Sequence, residues 1–417
     1  MFNGKFPYPE WTNKVETPGY GTELISHTYD RQKWVRAKEA SEEALTLALG
    51  AGQRSLYQGG DSETANMIKV SFFPVDGLDD EFIRKVLVLR NVVKTKESNG
   101  NHEHIWAVND FHAQAAYTWY GQRIPRNILP TTAQNASVGG WFTMGTSWNF
   151  SKKFLTKNGL QPDNDPDFIA ESEWLKSAGY KDDGEKLRSH IINMFKNREP
   201  RFYAWQAFDG GDYGTFLVEG KHPCYLDMLN TDKQGTDRTM RDYCPTGIAT
   251  QKWIDPRSSV SYPGQRNYHS APIPLVRLAE LYLNLAEINA ELGNETEALN
   301  NINIIRRRAG AVELTPAMVA KSGKSLLEWA RDERSIELFE EMHRYFDIRR
   351  WCQGYLIDQG QRTGLNTQVI NPSFEEFNQI KDIRSAHIYH WDDRMYLYPF
   401  DSKDIYSNPQ MVQSPGY

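Results

Sequence analysis

The sequence predicts a mostly α fold: a tetratricopeptide-like helical repeat scaffold with long irregular loops and a few short strands. Three observations carry this expectation. Tandem amphipathic helices fill the stretch from Ile273, a third helix dense in paired charges follows and ends near Trp351, and long aromatic-rich tracts before them lack any helical period.

In chain order, Met1 to Tyr20 is rich in Pro, Gly and aromatics and reads as irregular. Asp30 to Leu49 reads as a helix with Trp34, Ala37, Ser41, Ala44, Leu45 and Ala48 on one face, stopped by Gly50-Ala51-Gly52. Asp79 to Val93 is a helical piece or a helix with a short strand, and Asn101 to Trp106 is a turn into a strand. Tyr117 to Phe150 has no helical period. Ser151 to Leu160 and Gly184 to Asn197 suit short helices, Arg201 to Phe208 alternates like a strand, and turn formers dominate Asp209 to Pro274.

The repeat helices follow. Leu275, Leu278, Tyr282, Leu285, Ala286 and Leu292 recur at spacings of three, four and seven. Asn294 with Glu297 suits a capping box, and Ala298, Ile302, Ile305 and Ala309 form the next seam before Gly310. Leu275 to Gly310 is close to the roughly 34-residue tetratricopeptide unit. A third helix starts at the capping box of Ser325 and Glu328 and carries Leu327, Ala330, Leu338, Met342, Tyr345 and Ile348 along one side. Its charges predict buried bidentate pairs, Arg334 with Glu337 or Arg344 with Asp347, that fix packing rather than bind substrate. A second irregular region spans Arg362 to Trp391. The expected organisation is one unit over 1–417, with repeat helices at 22–52 and 273–351, a loop-rich ligand-binding excursion at 117–274 and an irregular C-terminal region at 352–417.

Composition narrows the function classes. The 417 residues are 39% hydrophobic with a net charge of −6, which offers no general attraction to nucleic acid or anionic lipid. No window approaches about 18 consecutive apolar residues, so no transmembrane helix is expected, and Met1-Phe2-Asn3-Gly4-Lys5 lacks the apolar core of a signal peptide. Of three cysteines, Cys224 and Cys244 can pair in an oxidising compartment, leaving Cys352 as a thiol.

The strings RLAELYLNLAEINAEL, INIIRRRAGA, LLEWARDERSIELFEEMHRYFDIRRW and the closing LYPFDSKDIYSNPQMVQSPGY resemble the C-terminal half of the SusD/RagB family. NREPRFYAWQAFDG and PTGIATQKWIDP are similar to the family's segments leading into those helices, so the likeness runs from about Trp141 onward; TYDRQKWVRAKEASEEALTLALGAG resembles an earlier repeat helix. The resemblance implies a SusD-like fold and a surface-exposed outer-membrane lipoprotein. Such a protein captures a glycan without catalysis and passes it to a TonB-dependent, SusC-like transporter, which the helices should face. It also implies an N-terminal lipid anchor and further helices that this chain does not contain, whose first cysteine is Cys224, so a truncated or omitted N-terminal part is expected and membrane attachment rests on kinship alone. RagB-like members make an oligopeptide the second ligand class; a repeat-based interaction scaffold is the alternative outside the family.

Many aromatics fall among Gly, Ser, Asn, Asp and Pro: Trp119, Tyr120, Trp141, Trp148, Tyr213, Tyr225, Tyr243 and Tyr262. Sugars need flat apolar faces for their C–H surfaces and amides or carboxylates for their hydroxyls, although loop aromatics also commonly anchor a loop to its own scaffold. Trp119, Trp141, Trp148, Tyr213, Tyr225, Tyr243 and Asp209 are therefore the expected ligand-binding set. One sugar ring hiding roughly 100 Å² of a Trp gains about 2.5 kcal/mol. Three such contacts, less an association cost of about 4 kcal/mol or more, suit weak capture.

No catalytic residues are expected. Asp209 and Asp212 flank Gly210-Gly211, and a glycosidase needs two acids about 5 to 9.5 Å apart, but aspartates beside glycines are ordinary turn formers. No cofactor and no metal site is expected either. Asp163, Asp165 and Asp167 imitate the start of an EF-hand loop without its glycine or terminal glutamate, which leaves room only for a loose calcium site. His102-Glu103-His104 lacks the spacing of two ligands on one helical turn, and His387 with His390 falls in strand or loop. Phosphate-cradling and nucleophile-elbow motifs are absent from the sequence.

Overall fold

The computed structural model describes residues 3–6, 25–59, 73–108, 120–126, 140–181, 186–213, 225–236, 241–255, 258–261, 265–267, 271–356, 362–383, 390–414 and 416–417. They form a mostly helical protein with short two-stranded sheets. The chain divides into two compact units, one of residues 1–40, 338–361 and 387–417, the other of 41–337 and 362–386.

Helix α1 spans Arg31–Leu49. The six residues expected on its inner face are all half-buried, while its remaining positions are mostly exposed. Helix α2, Asp80–Asn91, opens where Asp79 accepts from the Phe82 amide and buries Val86, Val88 and Leu89. Strand β1, His104–Val108, follows the turn at Asn101.

The repeat pair is α4, Leu278–Leu292, and α5, Glu295–Ala309. Each ends on a left-handed glycine, Gly293 (φ 80°) and Gly310 (φ 73°), which closes the last carbonyls as L-residues rarely can. Ala298, Ile302, Ile305 and Ala309 all lie fully buried against α4 and its neighbours, as their spacing predicts. Two details differ. Ile273–Arg277 is a strand antiparallel to β1, so α4 starts after Arg277 and Leu275 lies exposed. Asn294 makes no cap bond; its amide instead donates to Asn289 Oδ1 at 3.0 Å.

The third helix is two helices. Helix α7, Leu326–Glu337, begins at the expected capping box, with Ser325 Oγ accepting from the Glu328 amide and Glu328 Oε2 accepting from the Ser325 amide. After Glu337 the backbone turns through positive φ at Glu340 and Met342, and α8 covers His343–Arg350. The cause is at Glu337: its carbonyl, needed to continue the helix, accepts from Lys252 Nζ (3.0 Å) and Arg277 Nη2 (2.8 Å) instead.

Three shorter segments also depart from expectation. Helical geometry is confined to Trp148–Ser151 rather than Ser151 to Leu160. Gly184 to Asn197 carries strand β3, Leu187–Arg188, paired with β2, Tyr180–Lys181, and a 3₁₀ turn at Asn193–Phe195. Arg201 to Phe208 splits into helix α3, Pro200–Trp205, and strand β4, Gln206–Phe208. Pro200 at the first helical position starts α3, and its alternation misleads because Arg201 is buried by ion pairing. Elsewhere, Ile248–Thr250 is strand β5, paired with β4, and Thr363–Leu365 pairs with Ile380–Asp382 inside the second irregular region.

The larger unit has an aromatic core, with Phe195 and Phe208 at 4.5 Å and Phe73 and Tyr203 at 5.1 Å between ring centres. Beside it lies a charge network. Arg201 donates to Glu199 (2.8 Å) and Glu333 (2.6 Å), and Arg306 to Glu333 (2.8 Å). Arg277 donates to Glu103 (2.6 Å) and Glu337 (2.9 Å), and Arg308 to Glu103 (2.7 Å) and Glu337. All eight side chains are fully buried and their formal charges balance. Charged residues of α7 thus fix packing, but through distant partners, since Glu337 takes three arginines and Arg334 donates to Asn284; in the smaller unit Asp347 pairs locally with Arg350.

In the smaller unit Phe6 and Tyr396 pack with Ile25, Cys352, Trp391 and Leu397. Gly354 is required there: a Cβ would meet the Trp391 indole at 1.8 Å.

Candidate functional site

A cleft of about 410 Å³ opens in the larger unit between β3 with the turn after it and Gly210, residues 225–227, Lys233 and Gln234. Its framework is local. Gly210 and Gly211 turn the chain after β4, with the Gly210 amide donating to Leu226 O (2.9 Å), the Leu226 amide to Gly211 O (3.0 Å), and Asp212 bridging Tyr225. Gly210 has φ 73°, and a Cβ there would approach Ile191 Cγ1 at 3.0 Å and His190 Cβ at 3.2 Å. A turn closed by Gln234 N to Asp227 O (3.1 Å) and Gly235 N to Asn230 O (2.9 Å) forms the other wall.

Arg188 and Tyr225 dominate the cleft, the guanidinium carbon lying 3.3 Å from the centre of the phenol ring. Lys186, His190, Asp227, Lys233 and Gln234 add polar groups around them. Behind His190 lies Asp209, only 2% exposed, with Oδ1 accepting from the Met228 amide and Oδ2 3.2 Å from His190 Nδ1. Burial raises the Asp209 pKa, and the adjacent Asp209 carboxylate raises that of His190 against its own burial. The arrangement offers hydrogen-bond donors, acceptors and one half-buried tyrosine ring, with Arg188 over it, to a polar ligand.

The expected site residues are therefore dispersed. Tyr225 lines this cleft and Asp209 supports it from behind. Tyr213 is fully buried with its hydroxyl donating to Arg123 O (2.9 Å), Trp148 packs on Trp174, and Tyr243 is buried. These three need correction as ligand platforms, because their faces are turned into the protein; loop aromatics here do anchor the loops. Trp141 is half-buried, with its amide donating to Gly121 O (2.7 Å), while Trp119 and Tyr262 lie outside the described residues. Cys244 is a buried free thiol whose expected partner, Cys224, also lies outside them.

The acidic run at Asp163 is otherwise engaged: Asp163 pairs with Lys152 at 3.1 Å, and Asp165 accepts from Thr156, Asn158 and the Asp167 amide. Glu103 belongs to the charge network, and His104 Nε2 lies 3.0 Å from Val92 O. Sequence reasoning passed over Arg188, His190 and Asp227, which carry no periodic or motif signal. It also treated Trp106 only as strand: the indole is 64% exposed beside a hollow of about 450 Å³ lined by Lys96, Glu97 and Ser98.

Comparison with known proteins identifies relatives of the chain. A sequence profile of the SusD family matches residues 102–417. The solved structure of the protein BT4246 is 42% identical with a TM-score of 0.89, covering 100% of this chain and 68% of that one. A SusD-like protein from Bacteroides fragilis NCTC 9343 shares the fold at 22% identity and a TM-score of 0.61, covering 96% of this chain and 68% of that one. SusD-like protein P25 of Formosa agariphila is 37% identical over 90 residues, a match spanning 22% of this chain and 17% of that protein. On the strength of the profile match and the BT4246 likeness, the chain belongs to the SusD family.

Proposed function

We propose that this protein captures oligo- or polysaccharide at the outer-membrane surface, without catalysis, and delivers it to a TonB-dependent SusC-like transporter. The observation that carries the reading is the Arg188–Tyr225 cleft in a chain of the SusD family. A half-buried tyrosine ring beside donors and acceptors suits a sugar, whose rings present both apolar C–H faces and hydroxyls. Trp106 offers a second platform of the same chemistry.

Hydrolysis is disfavoured by the state of its best acid. Asp209 is buried and fixed to the Met228 amide, a supporting position rather than one facing substrate. Release of reducing sugar that disappears in Asp209→Asn would overturn the non-enzymatic reading.

A glycan array followed by affinity gel electrophoresis tests capture. Retardation by one glycan class, lost in Tyr225→Ala and in Arg188→Ala, is the expected result; equal retardation of both variants removes this cleft as the site. Binding of oligopeptides but of no glycan would transfer the proposal to peptide uptake. Co-purification with a large β-barrel transporter from the native membrane is expected, and its failure would remove the partner.

A further inference from the structure

We propose that His190, Asp209 and Asp227 form a site for a divalent first-row transition ion, zinc-like in preference, on the inner wall of the cleft. The inference concerns the same cleft as the capture reading but rests on ligand geometry alone.

One ligand atom from each of the three side chains lies within 4.8 Å of the others. His190 Nδ1 and Asp209 Oδ2 are 3.2 Å apart, close to the roughly 3.3 Å edge of a tetrahedron with metal–ligand bonds near 2.0 Å. The Asp227 carboxylate sits on a half-buried side chain at the cleft wall and completes the group within the 4.8 Å limit.

The second observation is the state of Asp209. Its Oδ2 is buried without a hydrogen bond of good geometry, with the His190 ring nitrogen 3.2 Å away. A buried carboxylate oxygen left this way is costly unless something positive meets it. Its other oxygen is fixed by the Met228 amide, which orients Oδ2 toward His190 as supporting hydrogen bonds orient metal ligands.

The donor set selects the ion. One imidazole and two carboxylates suit zinc-like ions, whereas calcium takes six to eight oxygen ligands and this group offers too few. Three protein ligands leave a fourth position, and since His190 and Asp227 both line the cavity, that position faces the cleft. A bound ion would also tie the turn after β3 to Asp209 and Asp227, near Arg188 over Tyr225.

The test uses tag-free full chain, stripped with chelator and titrated calorimetrically with Zn²⁺, Mn²⁺ and Ca²⁺, alongside thermal melts. The expected result is one equivalent of Zn²⁺ bound with a raised Tm, at least tenfold weaker in both His190→Ala and Asp227→Asn, with Ca²⁺ weaker than Zn²⁺. Circular dichroism of each variant confirms folding. Zn²⁺ binding that is absent, or unchanged in both variants, overturns the site, and Ca²⁺ binding more tightly than Zn²⁺ overturns the assigned ion. Glycan retardation measured in chelator separates the two readings: glycan binding without metal binding overturns only this inference, and metal binding without glycan binding overturns only the capture reading.

Discussion

Two clusters of charge in the larger unit are built on opposite terms. In the network beside α7, four arginines and four glutamates are fully buried, and Glu103, Glu333 and Glu337 each meet at least two arginines. In the cleft, one buried carboxylate faces a half-exposed histidine and keeps an oxygen without a hydrogen bond. Balanced charge makes the first a scaffold that fixes how strands and helices register, although Arg201 Nη2, Arg306 Nη2 and Arg308 Nε in it also lack a hydrogen bond. The second differs in opening to a cleft through His190 and Asp227, which leaves it able to accept a ligand.

The largest expected effect breaks the first cluster. Glu337→Ala leaves Arg277 and Arg308 facing a deleted partner and should cost about 3–5 kcal/mol in urea unfolding. A loss under 1 kcal/mol would mean that the network is not held together in solution. The acid limb of the stability curve should show the same group. Its arginine neighbours, overcoming burial, hold Glu337 at about 2 against an ordinary 4.5. A lowered carboxylate pKa contributes stability above the unfolded value, so about 3 kcal/mol should disappear as pH falls from about 4.5 toward 2. Glu337→Gln should flatten that limb.

The cleft carries the opposite sign. Burial raises the Asp209 pKa, so acidification through its titration stabilises the fold, and raised His190 contributes stability below its unfolded value that is lost as pH rises through its folded one. Tyr225→Ala and Arg188→Ala should weaken glycan binding at least tenfold, about 1.4 kcal/mol, while moving Tm far less than Glu337→Ala does. Equal losses of Tm would place the pair in the scaffold class instead.

These contrasts mark what the sequence makes legible. The seam of α5 and the capping box at Ser325 depend on residues a few positions apart, so spacing alone reveals them. The end of α7 does not, since Lys252 and Arg277 reach the Glu337 carbonyl from 85 and 60 residues away. The same holds for the site. Tyr225 gains its meaning from Arg188 on β3, which lies over its ring, and Tyr213 loses its ligand role because Arg123, 90 residues earlier, receives its hydroxyl. Composition can place aromatics in loops, but only tertiary contacts decide which of their faces stay open.

The smallest expected effect sharpens the comparison most. Trp106 is exposed on strand β1, two residues from His104 in the buried wall, so Trp106→Ala should change unfolding free energy by less than about 0.5 kcal/mol. Tyr213→Phe, by contrast, removes a buried hydroxyl bond and should cost about 1 kcal/mol without touching glycan affinity. If Trp106→Ala leaves both stability and glycan retardation unchanged, the Arg188–Tyr225 cleft stands as the binding surface. If retardation falls while stability holds, ligand extends onto β1, because a solvent-facing indole beside Lys96, Glu97 and Ser98 has no structural task whose loss would explain it.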